Sequence, residues 1–178
     1  MKMSKGFFLG SILGGLGGGV VLGILGAIFG ASSRMDEAAI PLIALAVVAF
    51  LYAAIVVMVM IYKMWAAIQD GHARATPGKA LGFCFIPLFN YYWIFQVYWG
   101  WSKDYNAYIR RHNINTAAMP EGLFLTVPIL ILCSIVPFVG MLAGLVNLIL
   151  MIILVGKICD GVNAIAGKAT AAPAPAAG

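Results

Sequence analysis

The stretch "GFFLGSILGGLGGGVVLGILGAIFGA", residues 6–31, holds no charge and one hydroxyl, Ser11. As a helix it would be about 39 Å long at 1.5 Å per residue, more than the roughly 30 Å hydrocarbon core of a bilayer. It does not stand alone. Lys5 and Arg34 bracket 28 uncharged residues, Glu37 and Lys63 bracket 25, Lys79 and Lys103 bracket 23, and Glu121 and Lys157 bracket 35. These four runs hold 111 of the 178 residues, and each exceeds the 18 or so apolar residues of a membrane span. The whole chain is 63% hydrophobic and 10% charged, with mean hydropathy +1.00. A soluble domain carries about a quarter charged residues, so a soluble enzyme is excluded. The sequence predicts an all-α integral membrane protein: one bundle over residues 1–168 and a disordered Ala/Pro tail over 169–178.

The first span, about 6–31, contains ten glycines. Gly6, Gly10, Gly14 and Gly18 recur every four residues. Gly15, Gly19 and Gly23 make a second row, and Gly26 and Gly30 a further pair. Residues four apart share a helix face, so each row is a flat groove where another backbone can approach closely in lipid. The partner is either a helix of the same chain or a second subunit. A phosphate-cradling loop is excluded, because no strand precedes these glycines and no polar loop surrounds them.

The second span is about 40–62, with Pro41 tolerated in its first turn. The helix is expected to run on through Trp65 and stop at Gly71. "GHARATPGK", residues 71–79, fails as a nucleotide-binding loop: six residues separate its glycines and Ala80 follows the lysine. Thr76 as N-cap before Pro77 accounts for it better. Residues 83–108 then hold 12 of the 21 aromatics. Tyr and Trp favour the headgroup level, so residues 80–101 read as an interfacial or re-entrant segment bent at Pro87. Trp65, at the end of the second span, and Tyr91, Tyr92, Trp93, Trp99 and Trp101 are the expected interfacial anchors. The last run is too long for one crossing and reads as a helical hairpin, 122–136 and 138–156, broken at Pro137, with Pro128 kinking the first arm.

Charge decides between topologies. If the aromatic segment crossed once, Lys103, Arg110 and Arg111 would face away from Lys63, Arg74 and Lys79, against the positive-inside bias. If it returns, ten of the eleven basic residues are cytoplasmic and only Arg34 lies outside. Both termini are then cytoplasmic. The two lysines before residue 6 resemble a signal peptide, but the apolar run is too long for one. A pI near 9.2 reads here as attraction to anionic headgroups, not to nucleic acid. A weak internal repeat agrees: "IPLFN" (86–90) precedes "KDYNAYI" (103–109), and "VPFVG" (136–140) precedes "KICDGVNAI" (157–165). Each unit has a Pro-centred bend, an apolar arm, then Lys, Asp and Asn-Ala.

Catalytic and cofactor chemistry is thinly represented. His72 and His112 lie in loops, and the apolar runs contain no Asp, Glu, Lys or Arg, which argues against haem ligation within a span and against ion-coupled transport. Cys84, Cys133 and Cys159 form no CxxC pair, so no metal site is expected. Asn90, Gln96 and Asn147 read as interhelical hydrogen-bonding groups. Asp70, His72, Asp104, His112 and Asp160 could meet on the cytoplasmic face.

The segments "YKMWAAIQDGHARATPGKALGFCFIPLFNYYWIFQVYWGWSKDYNAYI" and "MPEGLF…IVPFVGMLAG…KICDGVNAI" resemble the membrane portion of uncharacterised bacterial membrane proteins, some of which carry an N-terminal GYF-like domain. The resemblance covers about residues 60–165, and the Gly-rich span stands where such a domain would be. It implies a bacterial setting and no particular mechanism; the expected location is the bacterial inner membrane. The expectation is a non-enzymatic assembly or scaffold component without cofactors, a homo-oligomer or a small subunit of a larger membrane complex, with membrane lipids as its other partner. A pore for a small uncharged solute, lined by Gly-rich backbone and Asn147 or Gln96, is the alternative, and an enzyme at the lipid surface is a third reading.

Overall fold

The structure, a computed structural model, describes residues 2–31, 36–136 and 138–169, apart from the side chains of residues 36–38, 141 and 169. Among these every regular element is helical: α1 (Lys5–Gly30), α2 (Asp36–Ala66), α3 (Pro77–Gly82), α4 (Phe89–Phe95), α5 (Trp101–Arg111), α6 (Glu121–Cys133) and α7 (Val139–Ala169). Three helices, over Lys5–Gly30, Ala39–Ala66 and Leu142–Lys168, are long and apolar enough to cross a membrane. In the most apolar stretch of each, 22%, 17% and 28% of residues are buried within the chain. Their apolar surface is therefore mostly left for another apolar medium to cover. Arg34, the expected break at Pro137 and the tail beyond Ala169 lie outside the described residues.

The sequence reads as one bundle; the folded chain groups into two compact units, Gly6–Met60 and Met1–Lys5 with Ile61–Gly178. The first of these is an antiparallel pair, α1 against α2. Phe8, Ile12, Gly15, Gly19 and Gly26 form the buried seam of α1, in steps of four, three, four and seven. On α2 the buried positions Ala39, Ala46 and Ala53 recur every seven residues. Glycine facing alanine brings the backbones together: a Cβ on Gly15 would lie 2.8 Å from Ala53 Cβ and 2.9 Å from the Ala49 carbonyl oxygen. One on Gly26 would lie 2.8 Å from Ile43 Cγ1. Tyr52 Oη donates to Ser11 Oγ at 2.9 Å beside the seam.

In the other unit, α2 ends at Ala66 and not at Gly71 as expected. Gln69 Nε2 reaches back to the Trp65 carbonyl at 2.9 Å and so takes the acceptor that the next helical turn would use. Gly71, at φ +84°, turns the chain after that end. Thr76 caps α3, accepting from the Lys79 N–H at 3.3 Å. A 3₁₀ turn, Phe83–Phe85, follows. Helix α4 continues through a π-helical turn, Gln96–Gly100, into α5. Helices α6 and α7 pack as a pair, and Pro128 lies inside α6. Gly140 is required where α7 begins, because a Cβ there would sit 2.6 Å from the Ser134 carbonyl oxygen.

Two bulky residues adopt the left-handed region, Leu88 at φ 64° and Phe138 at φ 66°. Each follows a proline in the sequence, and they are 82% and 89% exposed. This conformation costs a non-glycine residue about 1–2 kcal/mol.

Gly15→Ala should lower stability by about 1–3 kcal/mol through overpacking. Gly14→Ala, with nothing within 4 Å of its Cβ position, should be neutral or raise it by up to about 1 kcal/mol. Thermal unfolding of the two variants in the same detergent checks the contrast.

Candidate functional site

Two surfaces can carry function, the glycine face of α1 and the polar base of the larger unit. The glycines divide by face. Gly15, Gly19 and Gly26 lie against α2, and a Cβ on Gly30 would lie 3.5 Å from Ala39 Cβ. Gly6, Gly10, Gly14, Gly18 and also Gly23 meet nothing within 4 Å. The second expected row therefore does not run through Gly23. Strict four-residue steps drift about 40° per step around a 3.6-residue helix, so the buried seam passes from Gly19 to Gly26 instead. The open row borders a groove of about 600 Å³ lined by Gly10, Ser11, Gly14, Leu45, Val48 and Tyr52.

At the polar base, carboxamides hold backbone. Asn106 Oδ1 accepts from the Met119 N–H at 2.7 Å, and its Nδ2 donates to the Met119 carbonyl at 3.0 Å and to Glu121 at 3.2 Å. Asn163 does the same for Met3, accepting from its N–H at 2.7 Å and donating to its carbonyl at 2.8 Å. Gln69 Nε2 donates to the Ala75 carbonyl at 3.1 Å. Gly161 permits the Asn106 arrangement: a Cβ there would overlap the Met119 methyl and lie 2.9 Å from Tyr105 Oη. The sequence reading noted Asn106 and Asn163 only as part of a repeat and passed over Gly161; the shared Asn-Ala pair was the signal.

Ion pairs frame these clamps. Asp70 accepts from Arg111 Nε and Nη2 at 3.0 and 2.8 Å and from the His72 N–H at 3.0 Å, with His112 Nε2 3.2 Å away. Burial pushes its carboxyl up, but the hydrogen bonds from Arg111, His72 and His112 and the Arg111 charge outweigh it and hold Asp70 well below the usual carboxylate range. Arg74 binds Asp104 through Nε and Nη2 at 3.0 and 2.8 Å and reaches Gln96 Oε1 at 3.2 Å. The π-helical turn brings Gln96 and Gly100 to this arginine, which would lie 3.3 Å from a Gly100 Cβ. Lys5 meets Asp160 at 2.6 Å. The five acidic and histidine groups of the loops thus divide into three separate clusters. Among the described residues no three or more His, Cys, Asp or Glu are placed to hold a metal ion.

The expected anchors also divide. Tyr91 and Tyr92 are exposed, and Trp93 and Trp99 are half-buried. Trp93 Nε1 donates to the Ala80 carbonyl at 3.0 Å, and Lys103 Nζ sits 3.3 Å above the Trp99 ring. Trp65 and Trp101, 1% and 0% exposed, cannot serve as anchors because no headgroup can reach them. Trp101 is core: its Nε1 donates to the Met64 carbonyl at 2.7 Å, and its ring packs on Tyr105 and Phe124. Asn147 Oδ1 is buried with no hydrogen-bond partner among the described residues. Comparison of the chain with protein-family models, curated proteins and solved structures finds no match.

Because the folded carboxyl of Asp70 titrates below the unfolded one, its contribution is complete above the ordinary value near 3.9 and is lost as pH falls from there toward the folded value. Arg111→Ala should cost on the order of 1 kcal/mol at neutral pH, the scale of a partly exposed pair. Asp70→Asn should flatten the acid limb of a stability–pH curve, measured by thermal unfolding between pH 7 and 2.5.

Proposed function

We propose that this chain is a non-enzymatic integral protein of the bacterial inner membrane that assembles with copies of itself through α1 and acts as a scaffold. One observation carries the proposal: α1 has two glycine faces, and among the described residues the chain fills one of them. Gly15, Gly19 and Gly26 already have their close helix partner, while Gly6, Gly10, Gly14 and Gly18 have none. In hydrocarbon, apolar surface alone gives helices little reason to associate, and flat glycine rows supply the close packing that does. A twofold pair of identical rows is self-complementary, so a second copy of the chain is the occupant.

The topology rests on arm lengths and the polar base. From Leu88 to Gly100 a helical arm rises about 18 Å at 1.5 Å per residue, too little to cross a roughly 30 Å core. This supports a segment that dips in at Pro87 and returns. From Phe138 to Lys157 the rise is about 28 Å, which supports an arm that reaches nearly across before it meets α6. The clamps join residues near 3, 75, 119 and 163 to helix ends, as expected if all lie at one face. The positive-inside bias makes that face cytoplasmic, both termini included. Tyr91, Tyr92, Trp93 and Trp99 then remain as lipid contacts near the headgroups. Large core residues around Trp101, Tyr105 and Phe124 favour the scaffold over an aqueous path.

Replacing Gly10, Gly14 and Gly18 together with leucine should weaken self-association at least tenfold while leaving the α1–α2 seam intact. Cross-linking in native membranes and mass measurement in detergent read the outcome. Unchanged assembly would remove the proposal, and solute-selective leakage from liposomes carrying the wild-type protein would replace it with the pore.

A further inference from the structure

We infer that the chain is built from three copies of one helical hairpin whose bases close into a ring, and that the clamp of Asn163 on Met3 is the latch of that ring. The two-unit sequence repeat is part of a threefold one. Three segments open the hairpins: "MSKGFF" (3–8), "ATPGKA" (75–80) and "MPEGLF" (119–124). In each, the first residue is buried, a helix starts two residues on at Lys5, Pro77 or Glu121, and the glycine at the fourth position (Gly6, Gly78, Gly122) faces open space. The sixth residue, Phe8, Ala80 or Phe124, is buried again.

The closing helices match as closely. Ile61, Met64, Trp65 and Ile68 are buried ahead of Gln69. Tyr98, Trp101, Ser102 and Tyr105 are buried ahead of Asn106, and Val155, Ile158, Cys159 and Val162 ahead of Asn163. The spacing is the same in all three: steps of three, one and three, then the carboxamide in the next position. Each carboxamide holds the backbone of an opening residue: Gln69 that of Ala75, Asn106 that of Met119, Asn163 that of Met3. Hairpin one thus grips hairpin two, two grips three, and three returns to one. Two hairpins also repeat the tip, with a bulky left-handed residue after proline at Leu88 and Phe138.

The three junctions are not equally secured. Short linkers tether Gln69 to Ala75 and Asn106 to Met119, whereas Asn163 and Met3 are 160 residues apart. No short linker backs the third junction, which the Asn163 clamp and the half-exposed Lys5–Asp160 pair help to hold. Opening it releases the base of α1 while the other two junctions stay shut. This latch stands whether or not copies of the chain assemble.

Hydrogen exchange on the full-length protein in nanodiscs, read by peptide mass, tests it. In the wild type, peptides covering 2–9 should be protected, yet exchange several-fold faster than those covering 119–125. Asn163→Ala should speed exchange over 2–9 at least tenfold and leave 75–80 and 119–125 unchanged. Asn106→Ala should open 119–125 in the same way. Wild-type exchange over 2–9 as slow as over 119–125, or as fast as in an unstructured peptide, would overturn the latch. So would an Asn163→Ala variant that loosens all three openings together or fails to fold, because the ring would then be a single cooperative unit.

Discussion

A carboxamide presents one N–H side and one C=O side in the geometry of a peptide group, so a single Asn can satisfy both polar groups of a backbone residue. That grip, Asn106 on Met119 and Asn163 on Met3, is the interaction on which the base of the fold depends. Met119 and Met3 each lie two residues before a helix, outside any regular ladder. Buried there without a partner, each backbone group would cost on the order of 1–3 kcal/mol. The clamp removes that cost and at the same time fixes where the next helix begins. Apolar contact could not do this, since α1, α2 and α7 are apolar on nearly every side and one apolar face is much like another to them.

Away from the base, selectivity comes from shape. Alanines every seven residues on α2 meet glycines on α1, so the two backbones approach more closely than larger side chains would allow. The same helix offers a second small-residue face to its surroundings. A chain with one such face needs only an internal partner; a chain with two has a surface to spare, and that surplus is what supports the proposed assembly.

Much of the fold was legible because composition is a long-range signal: the runs between charged residues mark α1, α2 and α7 without any knowledge of packing. The end of α2 was not, because Gly71 is a good stop and Gln69, which ends the helix earlier with its side chain, looks ordinary. Trp65 and Trp101 were misjudged because tryptophan suits a headgroup layer and a core equally well; only the face of the helix decides, and the aromatic crowding around Trp101 hides it. The glycine rows were visible, yet the sequence could not say which would be filled, since Gly19 leads as easily to Gly23 as to Gly26. The carboxamides were the hardest. Their meaning lies in their distance from a buried quartet, and the quartets share a spacing but hardly a residue type.

That spacing explains how hairpins of different length can share one base. From Leu88 to Asn106 is 18 residues, and from Phe138 to Asn163 is 25. The seven extra residues raise the longer arm by about 10 Å. The shorter arm also carries the π-helical turn Gln96–Gly100, which winds more residues into one turn than an α-helix does, so the arms do not differ by a whole number of α-helical turns. The match between them lies at the base, in the spacing of the buried quartet and its carboxamide. Leu88 and Phe138 sit at the other end of these arms, where a bulky left-handed residue is tolerable because its side chain, 82% and 89% exposed, crowds no neighbour.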